Sequence, residues 1–216
     1  MIEIDHIFIF SNTNGREADD LVSSGLAEGS NRIHKRQGTM NRKFYFENFF
    51  LEILWVYDQS EIDKVGTKRI GLSQRANFKN NNSSRFGLCL VNDKPTNTLF
   101  KGAQNYQPAY FPSGMSIDVI SNSEYFGLPW TFRLPYQSDK PETNEPKNHL
   151  MKLSQLTKVK FGTNQKNLSS EFTSAFKGEQ MVEFYEDVKS SLTLEFDFRK
   201  QQKTYRNEFL DLTIHY

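Results

Sequence analysis

Residues 2–10 read IEIDHIFIF, and the character of the side chains alternates along this segment. Alternation with a period of two is the pattern of a β-strand with two distinct faces. One face of the predicted strand carries Ile2, Ile4, His6, Phe8 and Phe10, and the other carries Glu3, Asp5, Ile7 and Ile9. The segment therefore predicts a largely buried strand with a histidine among its apolar side chains.

The segments that follow complete a strand-helix-strand-strand-strand unit. A short helix is predicted from Glu17, with an apolar stripe of Ala18, Leu21 and Val22, and it ends at Gly25. Three strands then follow at 32–36, 42–46 and 49–57. Residues 1–58 are accordingly predicted to form one βαβββ module.

The far end of the chain repeats this plan. A strand is predicted at 156–161 and a helix follows, with Leu168, Phe172 and Phe176 at four-residue spacing. Further strands are predicted at 181–185, 192–198 and 209–216. The fold class predicted is α+β, with paired βαβββ modules whose mixed sheets curl into a cup, the second module spanning 149–216.

The section between these modules, 59–148, follows neither plan. It begins with a polar stretch at 59–84, predicts strands at 86–91, 115–120 and 130–134, and ends in a proline-rich, charged linker. Because it holds few apolar residues, it is predicted to be a connecting elaboration with extra strands. Residues 1–216 are thus expected to form a single domain.

Charge and composition limit the classes of partner. The 27 Lys and Arg residues nearly balance 26 Asp and Glu, so no strong field favours nucleic acid or membrane as a partner. No apolar stretch is long enough to span a membrane, and the first residues lack a signal-peptide pattern. Cys89 is the single cysteine, which excludes an internal disulfide and fits a reducing compartment. These features predict a soluble, cytoplasmic protein.

Two residues interrupt the apolar pattern of otherwise buried strands. His6 does so in the first strand, and Glu52 is the one polar residue in 49–56, FFLEILWV. An ionised carboxylate buried without a partner costs several kcal/mol, so Glu52 requires a cation, a hydrogen-bonding partner or a proton. A functional site is one explanation, and a structural ion pair with a neighbouring arginine is the other.

Three motifs carry a resemblance to a known family. They are DHI at 5–7, QGTMNR at 37–42 and FENFFLEILWV at 46–56. Together they resemble the glyoxalase-like branch of the vicinal-oxygen-chelate superfamily, which includes glyoxalases, bleomycin-resistance proteins and dioxygenases. Weaker similarity continues through YQPAYFP at 106–112, through His149 and through LEFD at 194–197. The resemblance implies paired βαβββ modules that form a cup.

The resemblance also implies a catalytic or metal-binding role for His6 and Glu52, which match the ligand pair of the family's first module. Imidazole and carboxylate suit a divalent ion such as Zn, Mn, Fe, Ni or Co. The second module departs from the family pattern, because Lys158, Lys160 and Thr213 occupy its expected ligand positions. His149, Glu195 and His215 are the possible substitutes. Either one divalent metal ion or no cofactor is therefore expected.

Four further residues are expected to bind substrate. Asn41 and Arg42 suit a carboxylate or phosphate, and His149 and Tyr110 are placed near the cup by the resemblance. The alternatives are a surface ion pair for Arg42 and a plain aromatic cluster for Tyr110.

Two functions follow from this interpretation. The first is a lyase, isomerase or dioxygenase acting on a small oxygen-rich metabolite. The second is a non-catalytic protein that binds or sequesters a small molecule or antibiotic, which the loss of second-module ligands favours. Related two-module proteins often pair, so a homodimer is also expected.

Overall fold

The computed structural model describes residues 2–135 and 144–216 and shows a mixed α+β fold with two sheets. The first sheet contains β1 (Ile4–Phe10), β2 (Arg32–His34), β3 (Thr39–Tyr45), β4 (Phe50–Val56), β5 (Phe86–Leu90), β6 (Gln104–Tyr106), β7 (Ile117–Ile120) and β8 (Trp130–Arg133). The second contains β9 (Leu156–Thr163), β10 (Val182–Glu186), β11 (Ser191–Phe196), β12 (Thr204–Asn207) and β13 (Leu212–His215). The predicted fold class is confirmed.

The helices of the described residues are short. They are α1 (Glu17–Ser23), α2 (Gln59–Ile62), α3 (Val65–Arg69), α4 (Leu72–Ala76), α5 (Phe78–Asn81), α6 (Gln165–Leu168) and α7 (Glu171–Ser174). Helices α2 to α5 lie in the polar stretch at 59–84. None of the helices in the described part of the chain is long and apolar enough to cross a membrane.

Strand pairing shows how the first sheet is built from two halves. Its order is β2-β3-β4-β1-β5-β8-β7-β6. Strand β1 is parallel to β4 and antiparallel to β5, and β5 is in turn parallel to β8. Strands β5 to β8 therefore repeat the pairing of β1 to β4, and the two halves meet at β1 and β5 in the middle of the sheet.

This pairing differs from the expected role of the middle section. The sequence interpretation placed 59–148 between two modules, with the second module at 149–216. Instead, β5 to β8 extend the sheet of the first module, while β9 to β13 form a separate sheet of order β10-β9-β11-β13-β12. The middle section has few apolar residues because its strands share a core with the first module and do not build their own.

The second sheet shows the same pairing logic in a reduced form. Strand β9 is parallel to β10 and antiparallel to β11, and β11 is parallel to β13. The strands predicted at 156–161, 181–185 and 192–198 correspond to β9, β10 and β11. The last predicted strand, 209–216, corresponds to β13, and β12 precedes it.

One face of the first sheet packs toward the second sheet. Ile7 and Ile9 are fully buried and belong to the same apolar cluster as Val159 and Leu194 of the second sheet. Ring contacts join the sheets, with centroids of Phe46 and Phe196 4.7 Å apart. The opposite face of β1 carries His6, Phe8 and Phe10. His6 and Phe8 line a cavity, and Phe8 and Phe10 belong to a second apolar cluster.

A register irregularity in β1 alters the predicted faces. The pairing of β1 with β5 shifts between Ile4 and His6. Ile2 and Ile4 therefore join the core between the sheets, whereas Asp5 and His6 both reach the cavity. Strict alternation had placed Ile4 on the same face as His6 and Asp5 on the other face. An irregularity of this kind offsets the alternation and is a common way of redirecting a side chain beside a site.

Gly87 on β5 lies directly opposite Phe8 on β1. A Cβ atom at this position would overlap the Phe8 ring, so the absence of a side chain lets that ring lie across β5.

We expect Gly87→Ala to lower the free energy of unfolding by about 1–3 kcal/mol, because the added methyl overpacks the face around Phe8. Urea unfolding measures the change. Gly66→Ala in α3 is the matched control: the nearest atom outside the helix backbone would be 3.8 Å away, and stability should stay equal or rise slightly. Equal stability of the two variants would contradict this view of the Phe8 packing.

Candidate functional site

A cavity of about 490 Å³ lies on the face of the first sheet that carries His6. Its size is typical of a small-molecule site. Nine aromatic side chains among the described residues line it, including Phe8, Phe50, Tyr110, Trp130 and Phe132. The cavity therefore combines an aromatic wall with the ionisable residues that interrupted the apolar sequence pattern.

His6 and Glu52 meet inside this cavity. The Nε2 atom of His6 lies 3.8 Å from Oε2 of Glu52. The two residues are only 8% and 5% exposed, respectively. Parallel pairing of β1 with β4 explains the approach, because His6 is opposite Phe50 and Phe8 is opposite Glu52. The separation exceeds a hydrogen bond but allows both groups to contact one small ligand or ion.

Asp5 and two rings fix the orientation of the His6 imidazole. Nδ1 lies 2.6 Å from Oδ1 of Asp5, and since a carboxylate accepts, Nδ1–H donates this hydrogen bond. The imidazole stacks on Phe50 with centroids 4.4 Å apart and meets the edge of Phe132 at 5.3 Å. Nε2 is thereby left on the side of Glu52, where it can act as a base or as a metal ligand.

Asn41 holds the carboxylate of Glu52. Its Nδ2 donates to Oε1 of Glu52 at 2.5 Å, and its Oδ1 accepts from the backbone N–H of Arg32 at 2.7 Å. In the part of the chain that the structure describes, no Arg or Lys forms an ion pair with Glu52 within 4.0 Å. The hydrogen-bonding partner of the buried carboxylate is thus the Asn41 amide, and the structural pair with arginine is not what the structure shows.

Tyr110 lines the cavity. Burial raises the pKa of its phenol, and the negative charge of Glu52 raises this pKa further. The phenol therefore keeps its proton at neutral pH and can donate a hydrogen bond to a ligand.

His34 is a further residue that lines the cavity. It is buried, its Nδ1 lies 2.9 Å from Oγ1 of Thr39, and its ring stacks on Tyr110 at 4.9 Å. Burial lowers its pKa, and the negative charge of Glu52 opposes this effect.

Arg42 is not among the residues that line the cavity. Its Nε and Nη2 donate to Glu28 at 2.7 and 2.5 Å, and its Nη1 donates to Asp19 at 2.7 Å. Because side chains alternate along β3, Asn41 faces the cavity and Arg42 faces the other side. Arg42, which was expected to bind substrate, therefore faces away from the cavity, and the structure shows the alternative of an ion pair.

His149 also lies outside the cavity lining. Its Nδ1 accepts from the backbone N–H of Ala27 and its Nε2 donates to the carbonyl of Tyr45, both at 2.9 Å. Both ring nitrogens are therefore used to tie the start of the second half to the first module. Its expected role in substrate binding is replaced by this structural role.

Burial lowers the pKa of His149. As the pH falls through the ordinary histidine pKa of about 6.5, the unfolded chain takes up a proton before the folded chain does, so stability falls. We expect His149→Gln to be about 1–3 kcal/mol less stable than the wild type at pH 8, because a hydrogen-bonding partner is lost.

The same variant should lose less stability than the wild type between pH 7 and pH 5, because it has no buried imidazole to protonate. Urea unfolding at a series of pH values measures both effects. Parallel pH profiles for the two proteins would contradict the buried, neutral state of His149.

The described residues contain one group of three potential metal ligands. It consists of Asp5, His6 and Cys89, whose ligand atoms all lie within 4.8 Å of one another. Cys89 is buried and pairs with His6 across β1 and β5. The group could hold a metal ion.

The substitutes expected in the second half do not reach this site. Glu195 forms an ion pair with Lys160 at 2.9 Å, and His215 lies 2.9 Å from the hydroxyl of Thr204. Both belong to the second sheet, and neither lines the cavity. In the first sheet, β5 is the strand that corresponds to β1 in the second half. Its residue opposite His6 is Cys89.

Comparisons with known proteins add evidence on the fold. The chain resembles a hypothetical protein from Staphylococcus aureus along its whole length. The TM-score is 0.60 at 13% identity, over 99% of this chain and 98% of that one. A triple mutant of 4-hydroxymandelate synthase from Streptomyces coelicolor aligns with a TM-score of 0.39 and 11% identity, over 98% of this chain and 61% of that one. No protein-family model matches the sequence, and no curated protein matches it significantly.

Proposed function

We propose that this chain is a small-molecule enzyme of the glyoxalase-like, vicinal-oxygen-chelate type, in which His6 and Glu52 act on a small oxygen-rich metabolite. The observation that carries the proposal is the 3.8 Å approach of His6 Nε2 and Glu52 Oε2 inside an aromatic cavity. A buried acid and imidazole, each held from behind by a polar partner, are the arrangement that acid–base catalysis needs.

The chemistry best supported is removal of a proton next to a carbonyl group. Asp5 keeps the proton of His6 on Nδ1, so that Nε2 accepts the substrate proton. The phenol of Tyr110, which stays protonated, can donate to the oxyanion that forms. Glu52 orients the substrate hydroxyl or receives the proton in a second step. Lyase and isomerase reactions both contain such a step.

A divalent metal ion would fit the same pair. Bonds of about 2.1 Å to nitrogen and oxygen span up to about 4.2 Å, which accommodates the 3.8 Å between His6 Nε2 and Glu52 Oε2. Asp5 would orient the imidazole from the other nitrogen. Such an ion would stabilise an oxyanion as a Lewis acid, and it would make a dioxygenase reaction available to the site.

Binding without turnover is the second candidate function. Its support is Phe132, which occupies the position on β8 that pairs with Cys89 and presents a ring edge to His6. Aromatic walls favour ligand capture whether or not a reaction follows. In both cases we propose a small-molecule ligand and a homodimer in the cytoplasm, with no nucleic-acid or membrane partner.

Proton abstraction can be tested by deuterium exchange at carbon atoms next to carbonyl groups. A panel of small 2-hydroxy ketones and 2-oxo acids in deuterium oxide, followed by NMR, measures the exchange rate. We expect the wild type to accelerate exchange for at least one compound. His6→Ala and Glu52→Gln should each reduce that rate by about 100-fold or more, because a general base or its partner is lost.

His215→Ala is the matched control, because it removes a histidine of the second sheet outside the cavity, and its rate should equal that of the wild type. Metal analysis of protein purified without chelator accompanies the assay. Stoichiometric metal in the wild type, together with its loss from both His6→Ala and Glu52→Gln, would support the metal-assisted form of the reaction. Exchange that survives in both variants would contradict the proposed enzyme, and binding of panel compounds without exchange would favour the second candidate.

A further inference from the structure

Lys43 places a cation on the cavity face of β3. It lines the cavity, is half-buried and lies directly across from Glu52 in the pairing of β3 with β4. Its Nζ sits 5.2 Å from the ring centre of Tyr45 and 5.9 Å from that of Phe50. Within residues 2–135 and 144–216, no carboxylate oxygen lies within 4.0 Å of this ammonium. The charge is held against ring faces and keeps its hydrogen-bond donors available.

Arg32 places a second cation on the same cavity. Its guanidinium carbon lies 4.9 Å above the ring centre of Tyr110, and the ring of His34 stacks on Tyr110 at the same separation. Among the residues that the structure describes, no side chain forms an ion pair with this guanidinium. Stacking on an aromatic ring orients the planar fork of an arginine without using its N–H donors.

The other charged groups of the cavity already have partners. Lys147 pairs with Glu47 at 3.2 Å, and Asp5 accepts from His6. Glu52 accepts from Asn41. Arg32 and Lys43 are therefore the two lysine or arginine side chains of the cavity that have no carboxylate partner among the described residues. Their combined field reaches the interior, because both lower the pKa of His34.

We propose that Arg32 and Lys43 form an anion subsite in this cavity and that the ligand is a small aromatic acid. Its carboxylate binds the two cations, and its ring packs among Phe8, Trp130 and Phe132. Charge-assisted hydrogen bonds from a guanidinium suit a planar carboxylate, and the aromatic walls suit a flat apolar body. The inference deepens the proposed function by naming its substrate class, and it rests on that function only in using the same cavity.

Matched acids and amides separate the contribution of charge from that of shape. The probes are benzoate with benzamide, phenylacetate with phenylacetamide, and 3-phenylpropanoate with 3-phenylpropanamide, and calorimetry measures each affinity. We expect at least one acid to bind at least about 10-fold more tightly than its amide. Arg32→Gln and Lys43→Gln should each weaken the acid several-fold and leave the amide within about twofold.

Lys147→Gln is the matched control, because Lys147 also lines the cavity but is paired with Glu47. It should retain the preference of the wild type for the acid. The inference is overturned when no acid binds better than its amide, which includes a complete lack of binding. It is also overturned when the preference survives in the Arg32→Gln, Lys43→Gln double variant.

His6→Ala distinguishes this inference from the proposed function. The variant should lose proton exchange and keep the acid preference, since the two cations remain in place. An acid preference in a wild-type protein that shows no exchange with any compound would retain the subsite and reject the enzyme. Exchange with neutral ketones alone, together with no acid preference, would retain the enzyme and reject the subsite.

Discussion

Strand β1 is hydrogen-bonded on both sides in the middle of the first sheet, and both of its faces are buried. Because side chains alternate, the burial of Ile7 and Ile9 toward the second sheet forces Phe8 and Phe10 to the opposite face, and His6 with them. Each buried isoleucine contributes about 1.5–3 kcal/mol. A shift by one residue would lose both contributions and would bury the imidazole between the sheets. Core packing therefore determines where the histidine lies.

A buried polar group is tolerated only when it has hydrogen-bonding partners. Leaving one unpaired costs about 1–3 kcal/mol, and a charged group costs more. The chain meets this requirement with a network of two hydrogen-bonded pairs, His6 with Asp5 and Glu52 with Asn41, and the two pairs approach each other to 3.8 Å between His6 Nε2 and Glu52 Oε2. Strands β1, β3 and β4 each contribute to the network, so the site is held by rigid elements. The imidazole stacks on Phe50 and makes an edge contact with Phe132, and these apolar surroundings strengthen each polar contact.

Local patterns in the sequence were sufficient for part of this picture. Alternation in 2–10 and in 49–56 predicted two buried strands, and the two polar residues that interrupt them meet in the structure. The pairing of β5 to β8 with the first module was missed, because strand pairing is non-local and both later segments carry strand-like alternation. For the same reason, the sequence interpretation looked for second-module ligands at Lys158, Lys160 and Thr213, which lie in the second sheet and not in β5 to β8.

Some of the missed site residues had a usable signal. Asn41 and Arg42 are adjacent on one strand and cannot share a face, so choosing Asn41 as the cavity residue excludes Arg42. Arg32 and His34 are two apart and do share a face, which the adjacent charges of Lys35 and Arg36 obscured. His149 had no such signal, because its two backbone partners, Ala27 and Tyr45, are distant in the sequence. The irregularity that brings Asp5 to the cavity also has no marker in the sequence.

The protonation pattern of the His6 ring tests the central claim most directly. Long-range ¹H–¹⁵N correlation spectra of the protein at neutral pH distinguish a protonated ring nitrogen from a bare one. We expect a protonated Nδ1 that donates to Asp5 and a bare Nε2 on the side of Glu52. A bare Nδ1 with the proton on Nε2 would contradict the arrangement, because Asp5 would then have no proton to accept and Glu52 would face a donor instead of a base.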